Sequence, residues 1–254
     1  MIDFSNLDWA IIIPFIAAGF AAQLIDGALG MAFGVISTTL LMSLGVPPAA
    51  ASAGVHVVET FTTGVSGISH VLHRNVEWKL FARLAVPGVI GGVLGAYVLS
   101  NIDGATVKPF VLAYLALIGV YLLYRGIRYP PPQKPARVIA PLGLIGGFLD
   151  AAGGGGWGPV VTGNLLVQGA DPRRTIGSVN TAEFFVTASI SATFLVTLGW
   201  KAFTLATLGL LIGGVVAAPL GAYMAKRLSP KFLLSAVGAL LILTSLFGIY
   251  KALA

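Results

Sequence analysis

Twenty-four consecutive residues, Ala202 to Ala225, contain no Asp, Glu, Lys or Arg. Apolar runs of this kind recur along the chain, near 9–25, 29–44, 49–73, 80–100, 105–126, 138–150, 154–169, 174–199, 203–225 and 231–252. Lipid offers no water to satisfy backbone N–H and C=O groups, so a spanning segment must be a helix or part of a closed barrel. The runs are continuous rather than alternating, which disfavours a β-barrel. Charged residues make up 9% of the chain, against about 25% in a soluble domain. The expected class is therefore an all-α integral membrane protein, with 1–254 forming one transmembrane domain of about 8–10 membrane segments. The longest polar stretch, Arg125 to Arg137, leaves no room for a soluble domain. The N-terminus, "MIDFSNLDW", is acidic and unlike a cleavable signal. With no cysteine, disulfides and thiolate metal sites are excluded.

Two pairs of runs are short, 9–25/29–44 and 138–150/154–169, and several of their arms fall below the roughly 20 residues needed to cross a bilayer. Glycines join each pair, in "IDGALG" (25–30) and "DAAGGGG" (150–156). Short, glycine-interrupted segments in corresponding halves point to broken helices around a transport site. The halves also repeat. An offset of 124 matches Asp26 with Asp150, Gly34 with Gly158, Gly45 with Gly169, Pro48 with Pro172, Glu59 with Glu183 and Thr63 with Thr187. Repeats of about 9–127 and 138–254 are thus expected, joined by the Pro-rich tether 128–137. Each half would contain three full spans plus one glycine-turn hairpin of two short helices. Twelve of the fifteen Lys/Arg then fall on one face, leaving Lys108, Lys201 and Lys251 on the other. The excess of positive charge marks the cytoplasmic side, so the tether is cytoplasmic, both termini lie outside, and the halves are inverted.

Four acids lie inside apolar runs as two matched pairs: Asp26 with Asp150, and Glu59 with Glu183. Each glutamate sits about ten residues into its run, about 15 Å deep and near mid-bilayer. Ionisable groups there mark ion or proton pathways, or serve as structural acids bonded to a helix end or hydroxyl. All four are candidates for proton coupling or gating. Asp26 and Asp150 precede the turns and have a second reading, as caps on the helix that follows. For the turns themselves, Gly153, Gly154, Gly155 and Gly156, with Gly27 and Gly30 in the first half, there are two readings. They expose backbone N–H groups to an anion at a helix N-terminus, or they let helices pack closely. Scattered pairs such as Gly91-Gly92 favour packing. His56 and Asn180 are repeat equivalents, three residues before the glutamates and on the same helix face. They, with Thr181, either donate to an anion or are satisfied interior groups. Gln23, Thr60, Thr162, Asn164 and Ser178 are further donors. His70 and His73 are expected at the cytoplasmic interface. Trp9, Trp78 and Trp200 suit an aromatic belt, while Trp157 either walls a site or packs. Neither G-x-S-x-G nor H-E-x-x-H nor a P-loop occurs, so no catalytic residue, metal site or cofactor is expected.

The stretches "QLIDGALGMAFGVISTTLLMSLGVPPAAASAGVHVVETFTTGVSG" (23–67) and "GFLDAAGGGGWGPVVTGNLLVQGADPRRTIGSVNTAEFF" (147–185) resemble the two halves of the sulfite exporter TauE/SafE family. The glycine run, proline, short loop and "GSVNTAEF" carry the likeness most specifically. The first half departs from it, with "DGALG" in place of the glycine run. The resemblance implies eight transmembrane segments and movement of small sulfur anions, such as sulfite and sulfonates, across the bacterial cytoplasmic membrane. The expected protein is a secondary transporter of small anions, not an enzyme. An anion channel, or a proton-coupled carrier of another small carboxylate or of a cation, is the alternative. Its partners would be a small anion and lipid, with a homodimer as a further candidate and nucleic acid excluded.

Overall fold

The computed structural model describes residues 9–44, 46–100, 108–128, 134–199 and 204–253. Gly45, Trp200, Lys201 and positions 129–133 of the tether lie outside the described residues, as do the side chains of Trp9, Pro48, Lys108 and Lys251. Within the described residues the chain is helical and contains no strand. The helices are α1 (Trp9–Leu29), α2 (Phe33–Ser43), α3 (Pro48–Leu72), α4 (Trp78–Leu99) and α5 (Lys108–Arg128), then α6 (Ala140–Gly153), α7 (Gly163–Val167), α8 (Pro172–Leu198), α9 (Leu205–Arg227) and α10 (Pro230–Leu253). A π-helical turn, Gly158–Thr162, leads directly into α7. Among the described residues, five helices are long and apolar enough to cross a membrane: α1, α4, α8, α9 and α10. Their lipid-facing sides carry exposed apolar residues such as Ile90, Val196, Val216 and Leu243.

Two expectations about the first hairpin need correction. The helix does not break at 25–30. It runs through Asp26 and Gly27 to Leu29, and the chain turns at Gly30–Ala32. With 21 residues, α1 is a full-length arm rather than a short one. The reason lies more than 190 residues away. Gly27 packs against the backbone of Gly221 and Ala218 on α9, so continuing the helix gains close contact. The second hairpin keeps two short arms, but here too the helix runs past its acid: α6 has 14 residues and ends at Gly153, and its partner arm spans Gly158–Val167 rather than starting at 154. Pro159 sits in the first turn of that arm, where a missing N–H costs nothing.

Equivalent elements of the two halves make equivalent contacts. Helix α1 packs on α9 as α6 packs on α4; α3 packs on α9 as α8 packs on α4; α5 meets α10, and α3 meets α8. Glycines make the closest of these seams. Gly91 meets Leu144 and Phe148 of α6, and Gly213 meets Ile16 and Phe20 of α1. Phe20 and Leu144 are themselves separated by the 124-residue offset. Thr63 and Thr187, also equivalents, face each other at 3.5 Å across the α3–α8 seam. Trp157 is fully buried between Gly88, Gly146 and Val186, and its Nε1–H donates to Val179 O at 3.2 Å.

Candidate functional site

Both hairpin aspartates reach across their turns. Asp150 Oδ1 accepts from the Trp157 N–H at 2.9 Å, and Asp26 Oδ1 from the Phe33 N–H at a long 3.5 Å. Each spans seven residues, so the two halves share one device. A carboxylate near the end of the first arm satisfies an N–H at the start of the second, as in capping. The turn N–H groups are also engaged. Gly30 N donates to Asp26 O at 2.6 Å, Gly154 N to Asp150 O at 2.8 Å, and Gly155 N to Asp150 O at 3.1 Å. The turns touch each other through backbone, Gly155 against Gly34 and Gly158 against Gly30 and Met31. Gly154 and Gly155 have positive φ, +70° and +134°, which side-chain-bearing residues rarely adopt. Gly153 differs from them: it is helical and exposed, with open space around it.

His56 links α3 to the second turn. Its Nδ1 lies 2.7 Å from Ser52 O, a contact that requires Nδ1–H as the donor. The Ser52 hydroxyl donates to Ala151 O at 3.0 Å, so its 3.2 Å contact to Nδ1 is received rather than given. On the other side of the ring, Nε2 lies 3.2 Å from Asp150 Oδ2 and 4.0 Å from Glu59 Oε2. Asn180, the equivalent of His56, approaches the first hairpin differently. Its Nδ2 donates to Asp26 O at 3.5 Å and its Oδ1 accepts from Ser66 at 3.0 Å.

Asp26, Asp150, Glu59 and Glu183 are at most 4% exposed and close enough for their charges to interact. One oxygen of Glu59 and one of Glu183 lack any hydrogen-bond partner, as do the hydroxyls of Ser37 and Thr38. Thr38 lies against Gly154, Glu59 against Gly34, and Gln23 beside Asp26. Buried polar atoms without partners are uncommon, and a cluster of them marks a place that a ligand or water completes. Among the described residues, no group of three or more His, Asp or Glu is arranged to hold a metal ion.

The remaining expected donors are placed elsewhere or already satisfied. Thr181 bonds to Gly177 O at 2.7 Å and lines an apolar groove of about 200 Å³ with Thr63, Gly64, Gly67 and Phe184. Thr162 donates to Gly30 O at 2.9 Å, Asn164 to Val160 O at 2.6 Å and Thr60 to His56 O at 2.9 Å. The hydroxyl of Ser178 accepts from the Glu77 N–H at 2.8 Å. His70 does not face outward. It is fully buried, with its Nε2–H donating to Gly27 O at 3.1 Å and its Nδ1 accepting from Asn75 at 3.1 Å. Asn75, which the sequence reading missed, also donates to Ala222 O at 3.2 Å, tying α3 to α9. Its signal was available: an Asn three residues after a helix end and five beyond a histidine.

The sequence profile described as Sulfite exporter TauE/SafE matches residues 15–248. The chain is 43% identical over 243 residues to "Probable membrane transporter protein YtnM" of Bacillus subtilis (strain 168), covering 92% of this chain and 81% of that one. It is 30% identical over 119 residues to "Probable membrane transporter protein YunE" of the same organism, covering 44% and 42%. No solved structure matches it.

Proposed function

The chain belongs to the sulfite exporter TauE/SafE family of membrane transporters, and from that premise we propose that it carries small sulfur oxyanions or organosulfonates across the cytoplasmic membrane by alternating access. The observation that carries this reading is the set of unpartnered buried polar atoms around the crossed glycine turns. Both ring nitrogens of His56 are engaged, by Ser52 O and Asp150 Oδ2, so His56 borders the site without donating to the cargo. Ser37 and Thr38 offer uncharged donors, Thr38 beside Gly154, and Asn180 reaches in from the other half. Such donors bind an oxyanion without a buried lysine or arginine, and among the described residues none of the buried side chains is either. The turn glycines Gly30 and Gly154 to Gly156 would form the walls, with Gly27 and Gly153 in the helix ends beside them, and Thr181 would mark an approach along α3 and α8.

The matched contacts of the two halves support an inverted repeat, with 9–127 rocking against 138–254 and the cargo bound between the hairpins. Positive charge concentrated at one set of helix ends supports a cytoplasmic tether and external termini. Export of an anion is favoured by an inside-negative potential, by about 2.3 kcal/mol per charge per 100 mV.

The test is uptake by purified protein in liposomes, offering ³⁵S-labelled sulfite, sulfate and thiosulfate and a sulfonate under imposed voltage. Saturable exchange of at least one anion is expected, at carrier rather than channel rates. Binding to Gly154→Ala, Asn180→Ala and Glu183→Gln should be at least tenfold weaker than to the parent. Parent-like binding by all three would displace the site, and cation flux without anion flux would refute the cargo.

A further inference from the structure

We propose that His56 and Asp150 hold one mobile proton between them, that His56 passes it to Glu59, and that cargo therefore crosses together with protons. This rests on the transport reading above and adds the coupling ion.

The hydrogen-bond directions require the proton. Nδ1–H is committed to Ser52 O, and the Ser52 hydroxyl hydrogen to Ala151 O, so the ring cannot take the other tautomer. Neutral His56 then presents a bare Nε2 to Asp150 Oδ2 at 3.2 Å. Two acceptors do not sit at that distance unless a proton lies between them. Either the Asp150 carboxylic acid donates to Nε2, or Nε2–H⁺ donates to the carboxylate. Asp150 is held for this by the Trp157 N–H on its other oxygen.

The acceptor for the next step is in place. Glu59 Oε2 lies 4.0 Å from Nε2 and has no hydrogen-bond partner. One rotamer change or one water closes that gap. In the transfer the Nε2–H bond breaks and an Oε2–H bond forms. Imidazolium and carboxylate become neutral imidazole and carboxylic acid. The ionisable groups facing His56 are Glu59 on its own helix and Asp150 on α6; Asp26 on α1 and Glu183 on α8 lie near those two, and all four are acidic. An anion entering among four carboxyl groups and one imidazole adds like charge in a medium that screens poorly, so protons must accompany it. His70 offers a contrast. Its two nitrogens face Gly27 O and the Asn75 amide, so its neutral form is fully satisfied and has no carboxylate to serve. Asn180 occupies the equivalent position to His56 and cannot carry a proton, which places the relay in one half alone.

The test uses the full-length protein in liposomes with a pH dye in the lumen and voltage clamped by potassium and valinomycin. The probe is ³⁵S-thiosulfate, which stays fully ionised at neutral pH, or ³⁵S-sulfite corrected against protein-free liposomes. A gradient of one pH unit, acid outside, should support about tenfold accumulation per coupled proton, with acidification of the lumen. His56→Gln places an amide N–H near the position of Nε2 and keeps a hydrogen bond to Asp150 without a transferable proton. It should lose both the accumulation and the acidification, and the anion exchange that remains should no longer respond to the pH gradient. Glu59→Gln should behave the same way, and His73→Gln like the parent. Accumulation in His56→Gln that matches the parent, or parent flux without proton movement, would overturn the relay. Loss of exchange together with accumulation in both variants would assign these residues to structure and overturn it equally. Failure of every anion to exchange in the parent would instead sink the transport reading.

Discussion

Gly155→Ala is the sharpest test of how the hairpins meet. Gly155 has φ +134°, where an L-residue is strained by about 1–3 kcal/mol. The added Cβ would also press on the carbonyl carbon and Cα of Gly34 and on the Val35 nitrogen, the Cα at 2.8 Å. All three are backbone atoms, so no side-chain rotation relieves the contact, and overpacking of this kind costs about 1–3 kcal/mol more. The sum, about 2–6 kcal/mol, corresponds to a fall in melting temperature on the order of 10 °C. Gly153→Ala is the control, because its Cβ would meet nothing within 4 Å and it sits at the end of α6. A helical Gly→Ala change there is stabilising by roughly 0.5–1 kcal/mol. Thermal unfolding of both variants in one detergent, followed by size-exclusion fluorescence, reads the difference. If Gly155→Ala melts within 2 °C of the parent (taking about 2 °C as one assay width), the backbone crossing is not what the turn is for. Because Gly153→Ala preserves the fold, any loss of anion exchange in it would assign that glycine to the cargo instead.

Two further predictions come from comparing the halves. Thr162 donates to Gly30 O whereas its equivalent, Thr38, has a hydroxyl without a partner. Thr162→Val should therefore destabilise by about 1–3 kcal/mol, leaving a buried carbonyl unpaired, while Thr38→Val should be neutral or stabilising in thermal unfolding and weaken anion exchange. Equal losses of stability in the two would remove Thr38 from the ligand-facing set. Trp157→Phe gives up the bond to Val179 O and part of a fully buried ring. A loss of about 2–4 kcal/mol in unfolding is expected; a parent-like melting curve would show that the indole does not hold the second turn.

Much of the architecture was legible because it is written twice. The pairing of Asp26 with Asp150 anticipated two carboxylates spanning seven residues each, and the offset that matched Thr63 with Thr187 matched residues that touch. The small-residue reading of Gly91 held, since its partner is simply another helix. What failed depended on contacts between distant parts of the chain. Nothing near Gly27 in sequence says that Gly221 waits to receive it, so the helix end was placed several residues early. The depth of His70 along α3 did not reveal its partners, a carbonyl on α1 and an amide beyond the helix end. The offer of free N–H groups at the turns was legible in principle. Their occupation by Asp150 O and the two aspartate side chains requires the helices to extend past the acids, which local propensity does not reveal.

The differences between the halves carry as much meaning as the likeness. On the alternating-access reading, two identical halves would give inward- and outward-facing states of equal energy, because each state is the other with the halves exchanged. Any bias must come from positions where the repeats diverge. The divergences here gather around the carboxylates. His56 engages an Asp150 side chain that is anchored at 2.9 Å, whereas Asn180 reaches only the Asp26 carbonyl, and the Asp26 side chain keeps a 3.5 Å hold on Phe33. The Asp26 carboxylate is therefore the more weakly held of the two, while Thr162 and His70 tie its hairpin at Gly30 O and Gly27 O, and on the proposed relay Asp150 is held through a bond that contains a proton. A ligand or pH change that removes this proton loosens one hairpin and leaves the other as it was. The gradients of cargo and protons set the direction of net flux; a one-sided linkage sets which of the two facing states waits for cargo, because a ligand shifts an equilibrium only by its differential interaction with the two states.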